Sequence, residues 1–66
     1  MDNTYLYILK DKNEKVISSN YCISNITYAK NLLDILMYKT GVRTGKLVDV
    51  ATKQIIYESE IYHYGE

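Results

Sequence analysis

Hydrophobic and β-branched residues cluster in two short segments near the start of the chain. Thr4–Lys10 reads TYLYILK, and this mixture of aromatic and branched residues predicts a strand. Residues 11–14 are all polar and predict a turn. Val16–Asn20 predicts a second, shorter strand. We therefore expect an antiparallel hairpin over the first twenty residues.

The middle of the chain changes to helical spacing. Ser24 is predicted as the N-cap, because its hydroxyl can accept a hydrogen bond from a first-turn amide. Ile23 and Tyr28 occupy the two positions of a hydrophobic staple. The pattern predicts a helix over Asn25–Thr40, ended by Gly41 in the left-handed conformation.

The last third of the chain predicts a second hairpin. Lys46–Ala51 reads KLVDVA, and the strand predicted over Gln54–Tyr62 follows a turn at Thr52 and Lys53. The element order is then ββαββ. It predicts an α+β fold in a single domain, 1–66, with a four-stranded antiparallel sheet and one helix packed on one face.

A symmetric two-residue turn would fix the register of the second hairpin. It places Val50 opposite Ile55 and Val48 opposite Tyr57, all on one face. The other face of the hairpin is then predicted to carry Leu47, Asp49, Ile56 and Glu58.

The helix has more apolar surface than one small sheet needs. The stripe predicted to face the sheet comprises Ile26, Ala29, Leu33, Leu36 and Met37. The side predicted to face water comprises Thr27, Lys30, Asn31 and Asp34. Tyr28, Leu32 and Ile35 widen the apolar arc. Either strand ends or the chain terminus cover these three residues, or they form an oligomer interface.

The first strand presents apolar side chains to both faces of the sheet. Leu6 and Ile8 point one way, and Tyr5 and Tyr7 point the other. If Leu6 and Ile8 belong to the core, Tyr5 and Tyr7 form a tyrosine platform on the open face, to which Tyr62 can add. The favoured expectation is that the open face instead packs against a second copy in a dimer.

The composition is that of a folded domain, with 47% hydrophobic and 24% charged residues. All eight aromatic residues are tyrosines. One explanation of this usage is the codon bias of an AT-rich genome. The other is a contact surface built from tyrosines, whose rings are large and rigid and carry a polar tip. A chain of 66 residues without a disulfide buries little surface, so self-association is expected to add stability.

Charge and hydropathy narrow the classes of partner. The chain has eight basic and eight acidic residues, which argues against a basic nucleic-acid arm, an acidic nucleic-acid mimic or a polybasic membrane anchor. No apolar run has the roughly 18 residues of a membrane span, and the start lacks a signal-peptide pattern. We expect a cytoplasmic protein that does not bind membranes.

The residues that usually carry catalysis are sparse. Cys22 is the one cysteine and His63 the one histidine, so neither a disulfide nor a metal cluster is predicted. No nucleophile–base pairing is evident in the spacing. The sequence predicts a protein that is not an enzyme and that needs no cofactor.

The alternative to a protein partner is a ligand held by tyrosines. Tyr rings can stack on unpaired bases, and lysines near the hairpin ends could meet phosphates. A nucleotide, another small ligand or a single-stranded nucleic acid would then bind through Tyr5, Tyr7, Tyr57 and Tyr62.

Three segments together resemble small bacteriophage and mobile-element proteins of low-GC Gram-positive bacteria. They are YLYILKDKNEKVIS, AKNLLDIL and LVDVATKQIIYES. The resemblance spans most of the chain but rests on ββαββ patterning. It implies a host-takeover or anti-defence factor that acts by binding a host protein, a nucleic acid or a signal molecule, and it assigns no role to any individual residue. From the surplus apolar surface on a small neutral domain, we expect a homodimer that binds a host protein, in the host cytoplasm if a phage encodes it.

Overall fold

A computed structural model describes residues 2–61 and confirms the predicted ββαββ order in an α+β fold. The strands are β1 (Asn3–Lys10), β2 (Val16–Ser24), β3 (Thr44–Asp49) and β4 (Gln54–Glu60), and the helix is α1 (Ile26–Thr40). All neighbouring strands are antiparallel, in the spatial order β2-β1-β3-β4. The two hairpins are thus joined through β1 and β3, and β2 and β4 form the edges.

The helix begins one residue later than the sequence suggested. Asn25, not Ser24, is the N-cap, and its Oδ1 accepts a hydrogen bond from the Tyr28 amide at 2.8 Å. Ser24 is buried and its hydroxyl donates to the Asn25 carbonyl oxygen. The shift removes Ile23 and Tyr28 from the staple positions. Gly41 ends the helix at φ 71°, as predicted.

The core lies between the helix and the middle of the sheet. Its helix side is Ala29, Leu33 and Met37, which confirms the centre of the predicted stripe, whereas Ile26 is exposed. The sheet and the connecting segment contribute Tyr5, Leu9, Val42 and Leu47. Helix packing therefore covers the Tyr5 side of β1 and leaves the Leu6 side open.

Gly45 allows the helix to approach β3 closely. A Cβ atom built on Gly45 would lie 2.6 Å from the Sδ atom of Met37 and 3.1 Å from a Leu33 methyl carbon. Both of those side chains are fully buried. A side chain at position 45 would therefore push the helix away from the sheet.

The second hairpin does not have the predicted register. Leu47 pairs with Tyr57 and Val48 pairs with Ile55, with an irregularity between the two β3 residues. The turn covers residues 50–53 instead of two residues, and Lys53 takes a positive φ. The predicted pairing of Val50 with Ile55 is wrong because the bulge and the longer turn shift one strand against the other.

The turn between β1 and β2 is organised by one carboxylate. Asp11 Oδ1 accepts from the amides of Asn13 and Lys15 at 2.8 and 3.0 Å, and Glu14 adopts φ 64°. The polar segment thus forms the turn that was predicted there. β2 itself continues four residues past Asn20, to Ser24.

Within residues 2–61, no helix combines the length and apolar character that crossing a bilayer requires.

Candidate interaction surfaces

The open face of the sheet carries an apolar row that crosses all four strands. Tyr21 of β2 pairs with Leu6 of β1, Leu6 pairs with Val48 of β3, and Val48 pairs with Ile55 of β4. Strand alternation sends these four side chains to the face opposite Tyr5 and Leu9, and so away from the helix. We call the set Tyr21, Leu6, Val48 and Ile55 the sheet row.

The ends of the sheet row are well exposed to solvent. Tyr21 is 64% exposed and Ile55 is 50% exposed, while Leu6 and Val48 in the centre are half-buried. Ile23, next on the same side of β2, is 74% exposed. This is a continuous apolar surface on a folded domain, and such surfaces mark binding sites more often than scattered single residues do.

Charged residues lie toward one end of the open face, beside the sheet row. Lys46 pairs in register with Glu58, and Thr44 pairs with Glu60. An open depression of about 300 Å³ lies here, lined by those four residues together with Glu14, Gly45 and Ser59. Among residues 2–61, no group of three or more histidine, cysteine or acidic side chains has the arrangement to hold a metal ion.

The helix exposes a second apolar surface on its outer side. Tyr28 is 57% exposed, Ile35 is 59% exposed and Tyr38 is 71% exposed, whereas Leu32 between them is half-buried. Because residues three, four and seven positions apart share a helix face, Tyr28, Leu32 and Ile35 form one line, which Tyr38, three positions after Ile35, extends around the helix. We call this line the helix row.

A polar cluster joins the helix to the edge strand β4. The Tyr57 hydroxyl donates to the carboxylate of Asp34, with distances of 3.2 and 3.3 Å to its two oxygens. The Lys30 ammonium lies 5.3 Å from the centre of the Tyr57 ring. Lys30 and Asp34 were predicted to face water, but both are half-buried because they border Tyr57. The contacts orient β4 against α1.

The structure does not form the predicted tyrosine platform. Tyr5 is 3% exposed and belongs to the core, with its hydroxyl accepting a hydrogen bond from the Asn3 side-chain Nδ2. Tyr7 and Tyr57 are half-buried and pack against the same core. Their placement on an open face is therefore wrong, because the helix covers their side of the sheet. Tyr62 lies outside the described residues, and a binding role for the four tyrosines stays a prediction.

The three residues predicted to form an oligomer interface lie on the outer side of the helix. Tyr28 and Ile35 are exposed, and Leu32 is partly so. Their role in an oligomer stays a prediction.

Sequence reasoning missed one member of the sheet row, Tyr21, and its neighbour Ile23. Tyr21 and Ile23 were left outside a strand, because β2 was expected to end at Asn20. The aromatic Tyr21 and the β-branched Ile23, both favoured in strands, are the signal that could have extended that strand.

Cys22 contributes no paired nucleophile in the described part of the chain. Its thiol is half-buried, and the Sγ atom lies 3.4 Å from the Ser24 hydroxyl oxygen. This contact links two neighbouring residues of β2 and provides no general base. His63, the other candidate, falls outside residues 2–61.

Comparisons with known proteins give no relative of this chain: no protein-family model, curated protein or solved structure matches it.

Proposed function

We propose that the chain is a small non-enzymatic interaction protein that binds a host protein and acts as a homodimer. The observation that carries this proposal is the exposure of apolar side chains on both outer surfaces of a two-layer domain. The sheet row lies on one side and the helix row on the other. Exposed apolar surfaces are unfavourable in water, so two of them on a domain of this size indicate that partners cover them.

The helix row has the spacing of a helix that docks into a groove. Tyr28, Leu32 and Ile35 follow the i, i+4, i+7 pattern by which amphipathic helices bind apolar grooves on other proteins. Tyrosines at both ends supply large rigid contacts with polar tips. We therefore assign the helix row to the host protein, in a host-takeover or anti-defence role in the cytoplasm that follows the resemblance to phage proteins.

The alternative, a nucleotide or single-stranded nucleic-acid binder, has less support. Three of its four tyrosines, Tyr5, Tyr7 and Tyr57, lie on the helix-covered side of the sheet and pack in or against the core, which leaves less ring surface for a base to stack on. The net charge of zero also gives little attraction to phosphates.

Quantitative capture from a lysate of a low-GC Gram-positive bacterium tests the proposal. Immobilised wild-type protein is compared with Ile35→Lys and with the matched control Asn31→Lys, which adds the same charge at an exposed polar position of the helix. We expect one bacterial protein to be enriched by the wild type and the control, and to be lost with Ile35→Lys. Equal recovery with all three proteins, or no enriched protein, would contradict the proposal.

A further inference from the structure

We propose that the open sheet face binds the same face of a second copy, related by a twofold axis parallel to the strands. This inference rests on the proposed function, since it names the partner on one of the two apolar surfaces. The dimer has four layers, with the two sheets in contact and the helices outside. Aligned packing of this kind, with sheets about 10 Å apart, is the usual geometry of two face-to-face sheets.

The sheet row is complementary to itself under that rotation. Turning the sheet over about an axis between β1 and β3 lays each row across the same row in reverse order. Tyr21 then meets the partner's Ile55, and Leu6 meets the partner's Val48. All four positions are apolar, so every contact along the row is between hydrophobic side chains.

The area of the face comes close to what a dimer needs, and the helix row offers less. The strands are six to nine residues long, and four strands at about 4.8 Å spacing give a flat footprint of roughly 450–500 Å² per copy. Two footprints approach the roughly 1,000 Å² that a specific interface needs. The outer side of α1, with 15 residues, offers about 22 Å by 10 Å, which is less than half as much.

The charges on the open face are compatible with a second copy. Lys10 and Lys46 lie among Glu14, Glu58 and Glu60, so the face is close to neutral and its charge does not select a strongly acidic or basic partner. Pairing two copies therefore brings together neither two basic nor two acidic faces.

Edge-to-edge pairing through β2 is the main competing arrangement. β2 is an uncharged edge strand of nine residues, which is the kind of edge that invites strand addition. However, Asn20 Oδ1 accepts from the Tyr21 backbone amide at 2.8 Å. That donor in the middle of the edge strand is already satisfied, which favours the face over the edge.

Sedimentation equilibrium tests the dimer with two complementary variants. Tyr21→Lys and Ile55→Glu both change exposed side chains. We expect the wild type to approach twice its 7.7 kDa mass with rising concentration, and each variant alone to dimerise about tenfold more weakly or worse. An equimolar mixture should recover a heterodimer. The introduced lysine of one copy then meets the introduced glutamate of the other, while the unchanged Tyr21 and Ile55 meet in the second contact.

The control mixture pairs Tyr21→Lys with Ile55→Lys, which weakens the same contact but brings two lysines together. It should show no recovery. A wild type that stays monomeric at millimolar concentration, no recovery in the first mixture, or equal recovery in both would overturn the inference. Capture of the host protein by the wild type is scored separately: a wild-type dimer that captures no host protein contradicts the binding of a host protein, and a wild type that captures it while remaining monomeric contradicts the dimer alone.

Discussion

Replacing Gly45 by alanine tests whether close packing of α1 on β3 holds the fold together. The new Cβ atom would lie 2.6 Å from the Met37 Sδ atom, well inside van der Waals contact. Met37 is fully buried, so its side chain has no solvent into which to move. Overpacking of this kind lowers the free energy of unfolding by about 1–3 kcal/mol. Alanine also has fewer conformations than glycine in the unfolded chain, and this raises the free energy of unfolding by about 0.4–1 kcal/mol.

We therefore expect Gly45→Ala to destabilise the protein by about 1–2 kcal/mol. In a domain of this length that lowers Tm by roughly 5–15 °C. Urea unfolding followed by circular dichroism measures the free energy directly, and an unchanged slope would show that the loss is one of stability alone.

A second substitution identifies the cause of that loss. Met37→Val removes the Sδ atom that the new Cβ would touch, and by itself should cost about 0.8 kcal/mol through one fewer buried heavy atom. In the double variant with Gly45→Ala, we expect a total cost at least about 0.5 kcal/mol below the sum of the two.

Gly41→Ala is the matched control for the double variant. A Cβ on Gly41 meets nothing within 4 Å, but φ is 71°, so alanine there costs about 1 kcal/mol through backbone strain. Its cost should add to that of Met37→Val. Wild-type stability of Gly45→Ala, or strict additivity of its double variant, would refute the packing argument.

Three further substitutions follow from the contacts. Leu33→Ala should lower the free energy of unfolding by about 2–5 kcal/mol, because the side chain is fully buried; a loss under about 1 kcal/mol in urea unfolding would contradict this. Asn25→Ala should cost about 1 kcal/mol through the lost bond to the Tyr28 amide, and Asn25→Ser should recover most of it. Tyr57→Phe should cost about 0.5–1.5 kcal/mol by removing the bond to Asp34, a cost that should vanish when Asp34→Ala is already present.

The fold could be predicted where local signals agreed with one another. Gly41 ends the helix as expected, because only a residue without a Cβ enters the left-handed region at little cost. The start was wrong by one residue because Ser24 and Asn25 are adjacent and both are good N-caps. Geometry decided between them: the Asn25 side chain accepts from the Tyr28 amide, and Ser24 turns into the protein interior.

The covered face of the sheet could not be read from β1 alone. Strand alternation separates Leu6 and Ile8 from Tyr5 and Tyr7, but both sets are apolar and either could face a helix. Contact with Leu33 and Met37, far away in the sequence, determines the choice. The β3–β4 register could not be predicted either. A bulge after Leu47 shifts the pairing, and no residue near it in the sequence indicates the bulge.

A candidate surface could be predicted from the sequence when one segment of the chain contains it, and not when several strands form it. The helix row is contained in one segment, and the width of its apolar arc identified Tyr28 and Ile35 as surplus. The sheet row is assembled from four strands, so it depends on strand order and register together. Tyr21 and Ile55 come together in one row only through β1 and β3.

The most direct test of the sheet-face dimer is an isotope-filtered nuclear Overhauser measurement on a mixture of labelled and unlabelled protein. Tyr21 and Ile55 lie on opposite edge strands of the same sheet, about 14 Å apart, too far for such a signal within one copy. The twofold dimer predicts an intermolecular signal between the Tyr21 ring and the Ile55 methyl groups. A dimer that lacks this signal, and instead shows intermolecular contacts at Ile35, would contradict the account.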